Sequence, residues 1–566
     1  PHRRPEGEPV MKILAVSLIL AAATAFAAPP SFSVELVPVD SSALPALHSY
    51  SVAEAGGKWL LLGGRTTGLH LFVQSSNGGA TPPPDAFPAK MANTNAWVID
   101  PAAGKAWSEP LAGLPATIAD QLSANNAQFI QDGNWLYIAG GYGKDSKTGN
   151  TVTFPYLTAI QVRETIDAIV AHQPLNDFVQ QTSIYVDCPL AGTNTYNACV
   201  GPATQKCQQG PGWAQCVKDA QAACAVEQQK TQNQCIAQVQ SGNTQGLPTD
   251  TGYYATVTGG GMRKVGNVYY LVFGQDFEGL YSVAESDYGK WPVNQVYTQR
   301  VVALSFTPKP VGAAVLRVIQ QDPNDFDAPY NRRDVNVLPD LTPDGTARIS
   351  IHGGVFVPGQ DTAYRQPIFI DKAEDPANAT VTVDTSYQQM MSQYECATLS
   401  LFDRTGSGGG NMIDVSFGGI SLYYLDSKTH KLKMDEGLPF INTLSSLSNA
   451  ADGSWSEYAR AQPLPARMGT DAAFIPAAGV ESSPNGVIYL DALKQRTKVG
   501  YVFGGIVAER GEAGGSTDEY SKASNLLYEV WVDPSAPPAN YWVPAAPPVR
   551  TAPRTVPTPP ASEGLK

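Results

Sequence analysis

The segment WLLLGGR, from Trp59 to Arg65, contains the pattern that decides the fold of this chain, an apolar strand that ends in a glycine pair. In a degenerate copy, VYYLVFGQD, we interpret Gln275 as the residue that replaces the second glycine. The other copies are WLYIAGGYG (135–143), RISIHGGVF (348–356), IDVSFGGIS (413–421) and GYVFGGIV (500–507). The chain therefore contains six copies of one structural unit.

Each copy follows another predicted strand and a tight turn, as in SYSVAEAGGKWLLLGG (49–64). Gly, Asn and Asp in these turns supply the positive φ angles that hairpins require. A variable stretch and a second strand pair come next, seen best as NAWVID (95–100), the turn PAAGK (101–105) and AWSEPL (106–111). Four strands in each of six units predict an all-β fold.

Four-strand units with a glycine pair at the end of the second strand resemble the Kelch repeat. That family also has a Trp in the fourth strand, a place taken by Trp107 and Trp455 in the first and fifth units. The resemblance covers residues 32–533 apart from one insertion, and it implies a six-bladed Kelch-type β-propeller. Such propellers include sialic-acid mutarotases and the propeller of galactose oxidase-like proteins, so the resemblance implies a fold rather than one activity.

The ends of the repeat predict how the ring closes. The last unit ends after its third strand, near Val532, and SFSVELVPV (31–39) precedes the first hairpin. We expect this N-terminal strand to complete the last blade, because closure removes exposed strand edges. A β-sandwich also has alternating strands, but repetition of one hairpin with its glycines at the same place favours blades. The propeller domain is therefore predicted over residues 29–533.

The N-terminal part of the chain has the composition of an export signal. Met11 and Lys12 precede the apolar run ILAVSLILAAATAF (13–26), and the small residues Ala27 and Ala28 follow. Residues 1–28 are therefore predicted to be upstream residues and a signal peptide, and the protein to be secreted or periplasmic. The run is too short to span a bilayer comfortably, so no transmembrane segment is expected.

Six cysteines lie close together in the second unit, and in an exported chain they predict disulfide bonds. Fifteen pairings are possible, and spacing does not choose among them. The surrounding segment, 165–248, is predicted to be a helical insertion in blade 2, either a cover for a blade edge or a partner-binding arm. The Pro/Ala-rich tail, 534–566, is predicted to be disordered. The six residues are Cys188, Cys199, Cys207, Cys216, Cys224 and Cys235.

The charge and the motifs exclude several functions. A net charge of −13 argues against nucleic acid as a partner, because such binding requires a basic excess. The histidines lack metal-site spacing, and no nucleophile elbow or dinucleotide fingerprint occurs in the right context, so no metal or cofactor is expected. Cys396 is predicted to be a buried thiol, and His352 a structural residue.

The loops after the glycine pairs are long, and in four-stranded blades they emerge on one face. We therefore predict ligand-binding residues in them: Arg65, Trp291, Glu509 and Arg510. The first hypothesis is a binding module for a glycan or a protein. The alternative is a carbohydrate-active enzyme, a sugar isomerase, mutarotase or oxidase, with acid or base groups at the central rim. The sequence identifies no catalytic residue and no oligomeric state.

Overall fold

The computed structural model describes residues 32–542 with short gaps. The predicted signal peptide, residues 1–28, and the end of the tail, residues 543–566, lie outside the described residues. The gaps are 71–75, 77–78, 80, 183–184, 251, 309–310, 322–328, 361, 407, 427, 430, 461–462, 512–519 and 536–540.

Six antiparallel sheets, each with a core of four strands, contain most of the strands of the described chain, and each core strand pairs with the next one in its sheet. Sheet 1 contains Ser51–Ala55, Lys58–Leu62, Asn95–Asp100 and Lys105–Pro110. Sheet 2 contains Gln128–Asp132, Trp135–Ala139, Leu157–Gln161 and Val179–Thr182. Sheet 3 contains Gly261–Val265, Val268–Val272, Arg300–Pro308 and Val311–Gln320.

The other three sheets repeat this arrangement. Sheet 4 contains Arg333–Leu341, Ala347–Val355, Ile368–Asp371 and Thr380–Val383. Sheet 5 contains Thr398–Asp403, Asn411–Phe417, Leu444–Asn449 and Trp455–Arg460. Sheet 6 contains Arg467–Pro476, Thr497–Ala508, Leu527–Asp533 and, from the other end of the chain, Ser33–Val39. The chain is thus mainly β, with repeated antiparallel sheets.

The N-terminal strand is the outer strand of sheet 6. Ser33–Val39 pairs antiparallel with Leu527–Asp533 along its whole length. Phe32 and Val34 are almost fully buried, and they pack in one core with Leu399 of sheet 5 and Val530 of sheet 6. The first described residues therefore hold the last two sheets together.

The glycine pairs have positive φ angles, and at several of them the neighbouring sheet also leaves no room for a side chain. A Cβ on Gly140 would lie 1.9 Å from the carbonyl oxygen of Val257, which precedes sheet 3. In the third unit the pair is Phe273–Gly274, with φ angles of 53° and 88°. This corrects the interpretation of Gln275 as the degenerate position: the substituted residue is the first of the pair, and Gln275 follows it.

The segment between sheets 2 and 3 differs from the predicted insertion at its start. The fourth strand of sheet 2, Val179–Thr182, pairs with Leu157–Gln161 although it falls within 165–248. The cysteine-rich part begins only after that strand. There, Tyr185–Asp187 pairs in parallel with the outer strand of sheet 3, Val311–Gln320, and antiparallel with Thr249–Asp250.

Two helices follow, α3 (Cys188–Gln205) and α4 (Trp213–Gln240); α1 (Ala116–Leu122) and α2 (Val162–Val170) occur earlier. The six predicted cysteines are all paired: two disulfides join α3 to α4, and the third joins the segment just after α3 to α4. The bonds are Cys188–Cys235, Cys199–Cys224 and Cys207–Cys216.

The α3–α4 hairpin covers the outer edge of sheet 3 at one end. Cys188, Cys235 and Val239 are buried in the same core as Leu316, and Gln232 Nε2 donates a hydrogen bond to the Leu316 carbonyl at 2.9 Å. At the other end Trp213 is 46% exposed. The seventh cysteine, Cys396, is a free thiol, and burial raises its pKa to about 11.

Shorter elements complete the described chain. None of its described helices is long and apolar enough to cross a membrane. Within the tail that was predicted to be disordered, Tyr541–Trp542 pairs with the fourth strand of sheet 5. Single-turn helices occur at Ala89–Met91, Leu111–Gly113, Asn176–Phe178, Glu285–Asp287 and Leu490–Ala492. The remaining strands are Tyr142–Lys144, Thr151–Thr153, Gln275–Glu278, Asn294–Tyr297, Tyr423–Leu425, Leu432–Met434, Ile488–Tyr489 and Ser521–Ala523.

Candidate functional site

Six residues occupy equivalent positions at or just before the first strand of each sheet, and we call them the inner ring. All six have positive φ angles, between 46° and 68°. In each unit, the residue after the glycine pair forms a β-bridge with a partner residue, and the inner-ring residue comes directly after that partner. Arg65 pairs in this way with His48, and Ile420 pairs with Tyr394. The inner ring consists of Ser49, Asn126, Gly259, Asp334, Glu395 and Asp471.

Backbone hydrogen bonds connect the inner ring from sheet to sheet. Ser49, which precedes sheet 1, donates its N–H to the carbonyl of Asp471 in sheet 6 at 3.4 Å. The first and the last sheet are therefore neighbours. Four further bonds run Asn126 N to Ser49 O (3.2 Å), Gly259 N to Asn126 O (3.1 Å), Asp334 N to Gly259 O (2.6 Å) and Asp471 N to Glu395 O (2.7 Å).

Hydrogen bonds also connect the side chains of the inner ring. Ser49 Oγ donates to Asp471 Oδ2 at 2.7 Å, and His48 Nδ1 lies 3.0 Å from the same oxygen. Across the ring, Asn126 Nδ2 donates to Glu395 Oε1 at 2.9 Å. The ring therefore brings together polar groups from sheets that are far apart in the chain.

The three carboxyl groups of the inner ring have pKa values that are shifted to different extents. Burial, followed by the nearby charges of Asp334 and Asp471, raises the pKa of Glu395 well above its usual range, so this group keeps its proton. Burial acts in the same direction on Asp471, but hydrogen bonds from His48, Glu395 and Ser49 outweigh it and lower the Asp471 pKa. Burial raises the pKa of Asp334 to about 6, against the attraction of Arg333. A protonated carboxyl group thus lies beside an ionised one.

Arg333 joins the inner ring to the loops above it. Its Nε lies 3.4 Å from Asp334 Oδ2, and its Nη1 donates to Gln275 Oε1 at 2.9 Å. Its Nη2 donates to the Tyr281 hydroxyl, and the guanidinium carbon is 4.9 Å from the centre of the Phe356 ring. Residues of two units therefore meet around one buried cation.

Loops that follow different glycine pairs contact one another, as their predicted position on one face requires. His70 and Phe87 of the first loop pack on Tyr281 of the third, with ring centres 4.7 and 5.4 Å apart. Leu69 N donates to Ser521 Oγ of the sixth loop at 2.9 Å. We call this side of the molecule the loop face.

The four residues predicted to bind a ligand are not brought together. Arg65 is buried beside the inner ring and stacks on Phe87 at 4.5 Å. Trp291 is half-buried, with Lys290 Nζ 5.8 Å from its ring centre. Glu509 and Arg510 are exposed, and Arg510 stacks on Tyr520 at 3.3 Å. Only Arg65 is next to the inner ring, and ligand binding by any of the four residues stays a prediction.

The sequence prediction missed the acidic residues of the inner ring. In the first three units the ring residue lies fourteen positions before the first residue of the glycine pair, as with Ser49 and Gly63. An alignment of the units on their glycine pairs would have revealed that Ser49, Asn126 and Gly259 are equivalent, but not the acidic residues, which belong to the other units. In the other three units the intervening hairpin is longer, and the regular spacing is lost.

His352, predicted to be structural, is buried beside a second carboxyl group that lies away from the inner ring. Its Nε2 is 3.5 Å from Asp414 Oδ2, and Ser400 Oγ donates to Asp414 Oδ1 at 2.6 Å. Burial lowers the pKa of His352 to about 3 and raises that of Asp414 to about 8. Both groups are therefore neutral at pH 7.

Replacing Asp414 by Asn should stabilise the protein at neutral pH. Because the folded pKa of Asp414 is raised above its usual 3.8 to about 8, its contribution to stability is complete below pH 4 and is lost as the pH rises to 8. The Asn variant lacks this loss, so we expect on the order of 5 kcal/mol more unfolding free energy at pH 7.5 and little gain at pH 4. Urea denaturation at both pH values measures this, and an equal effect at both would contradict it.

Comparisons with known proteins add little to this geometry. No protein-family model matches the chain, and no curated protein matches it. Among solved structures, the chain is similar to YjhT at 10% sequence identity and a TM-score of 0.38, over 85% of this chain and 99% of that one. Among the described residues, no group of three or more His, Cys, Asp and Glu side chains could hold a metal ion.

Proposed function

We propose that this chain is an exported six-bladed β-propeller that binds a glycan on its loop face. The six four-stranded sheets would be its blades, closed into a ring by Ser33–Val39. The bond between Ser49 and Asp471 supports closure, since it joins the first sheet to the last. Three disulfides support export to an oxidising compartment. In this proposal the α3–α4 hairpin is a separate small module that covers the outer edge of blade 3.

The observation that carries the proposed binding function is the inner ring. Asp471 and Asp334 present carboxylate oxygens that accept hydrogen bonds from sugar hydroxyl groups, and Asn126 and Glu395 present groups that donate and accept. The side chain of Asp334 is 19% exposed, so the ring reaches solvent. Polar groups fixed by a rigid scaffold recognise a polyhydroxylated ligand with little loss of conformational entropy.

A screen of mono- and oligosaccharides by isothermal titration calorimetry tests this proposal. Asp471→Asn and Glu395→Gln keep the size of the side chains but change their hydrogen bonding, and each should weaken binding of a recognised glycan at least tenfold. Lys105→Gln is the control, because Lys105 is exposed on the outer strand of sheet 1; its affinity should stay unchanged. If no sugar binds, the glycan assignment fails, and a protein ligand becomes the preferred hypothesis.

A sugar isomerase or mutarotase is the second candidate, and the protonation states of the inner ring favour it. Glu395, which keeps its proton, and the ionised Asp471 form an acid–base pair of the kind that opens and closes a sugar ring. In that reaction the base takes the proton of the anomeric hydroxyl while the acid protonates the ring oxygen. NMR of anomer exchange separates the two functions: turnover that Glu395→Gln abolishes, with binding retained, would make this chain an enzyme.

A further inference from the structure

A cleft of about 220 Å³ opens on the loop face between sheets 1 and 2. One wall of the cleft is the loop after the first glycine pair. The other wall consists of residues just before and just after the first hairpin of sheet 2. The residues that define its chemistry are Arg65, Phe87, Asp120, Asn125 and Lys144.

The cleft adjoins the inner ring. Arg65 exchanges two backbone hydrogen bonds with His48, at 3.0 and 3.2 Å, and His48 directly precedes Ser49 of the ring. Asn125 directly precedes Asn126 of the ring. A ligand of more than one sugar residue can therefore occupy the inner ring and the cleft together.

Asn125 is one of the residues that line this cleft, and its side-chain amide is buried. The residue is only 6% exposed, and its Nδ2 donates to the Tyr142 carbonyl at 3.2 Å, which fixes the orientation of the amide. Within the described part of the chain, Asn125 Oδ1 has no hydrogen-bond partner. A buried acceptor without a donor is destabilising, so a ligand that supplies an O–H or N–H group removes this cost.

The charges that line the cleft are mainly positive, in a chain whose net charge is −13. Arg65 and Lys144 are the two cations and Asp120 is the one anion. Asp120 is already engaged, because its Oδ2 accepts hydrogen bonds from Ser146 N at 2.9 Å and from Ser146 Oγ at 2.8 Å. The Arg65 guanidinium stacks on Phe87 and donates to Thr67 Oγ1 at 3.0 Å, which holds it in one orientation.

We infer that this cleft binds a uronic acid residue of the glycan, with the carboxylate on Arg65 and Lys144 and a hydroxyl group donating to Asn125 Oδ1. The inference rests on the proposed glycan-binding function and adds a charge requirement to it. Guanidinium groups pair with carboxylates in a directional way. The volume is below the roughly 300–1,000 Å³ of sites for drug-sized ligands, which suits one sugar residue.

Calorimetric titration of the full chain with glucuronate, galacturonate, glucose and galactose at constant ionic strength tests this inference. We expect the uronates to bind at least tenfold more tightly than the matching neutral sugars. Arg65→Gln should remove that preference, and Asn125→Asp should weaken uronate binding at least tenfold by adding a negative charge. Lys147→Gln is the matched control, because Lys147 is an exposed lysine near the cleft that does not line it. The affinity of this variant for uronates should change less than twofold.

The outcomes distinguish this inference from the proposed function. If neutral sugars bind as tightly as uronates, or if uronate binding survives in Asn125→Asp, the charge requirement is wrong while glycan binding stands. If Lys147→Gln weakens uronate binding as much as the cleft variants do, the effect comes from net charge alone, and the assignment of the cleft is wrong. If no sugar binds at all, both fail. Thermal melting checks that each variant is folded. If Arg65→Gln does not fold, the result for Asn125→Asp decides the test.

Discussion

Val34→Asp is expected to destabilise this protein by at least about 4 kcal/mol. Val34 is 2% exposed and lies in the core between sheets 5 and 6, so the substitution loses about 1.5–3 kcal/mol of apolar burial and forces a carboxylate into an apolar site. The backbone carbonyl of Val34 also accepts a hydrogen bond from Arg460 Nη1 at 2.8 Å. Chemical denaturation followed by tryptophan fluorescence measures the loss.

Glu35→Gln is the matched control on the same strand. Glu35 is on the opposite face, 55% exposed, and its ion pair with Arg496 is at the surface, so the expected change is below about 1 kcal/mol. Deleting residues 32–39 is the stronger test, since it leaves Leu527–Asp533 as an outer strand with one unpaired edge, which is prone to aggregation. A melting temperature that neither Val34→Asp nor the deletion lowers would show that the N-terminal strand does not stabilise the fold.

Gly418→Ala is expected to cost several kcal/mol, far more than the same change at Gly453. Both glycines have positive φ angles, +67° and +79°, so both variants carry the backbone strain of about 1–2 kcal/mol that an L-residue pays there. Only Gly418 has a neighbour in the way: a Cβ there would lie 1.9 Å from the Met468 carbonyl oxygen, while the position at Gly453 is open. The backbone of sheet 6 must therefore move to accept an alanine side chain at Gly418.

Denaturation of both variants separates close packing from backbone strain. The difference in unfolding free energy between Gly418→Ala and Gly453→Ala isolates the contact with sheet 6, because the strain is common to both. Equal losses in the two variants would mean that the glycine pair serves only the local turn and not the approach of the next sheet.

The repeated strand pattern alone predicted much of the fold. Hairpins depend on alternating apolar residues and on turn glycines a few positions away, so Trp59 to Arg65 and its copies could be recognised without tertiary information. The clustered cysteines likewise predicted disulfide bonds. Their pairing, such as Cys188 with Cys235, depended on how α3 and α4 pack, and sequence spacing does not contain that information.

The arrangement of the candidate site was decided by tertiary structure. Ser49 and Asp471 are more than four hundred residues apart and share a hydrogen bond, because the first and last sheets are neighbours. Phe273 takes the place of a glycine because its buried ring packs against Tyr330, at 5.2 Å, and this burial offsets the strain of its positive φ angle. Local sequence determines which strands form, whereas long-range packing determines which polar side chains meet, and only the second places Glu395 beside Asp471.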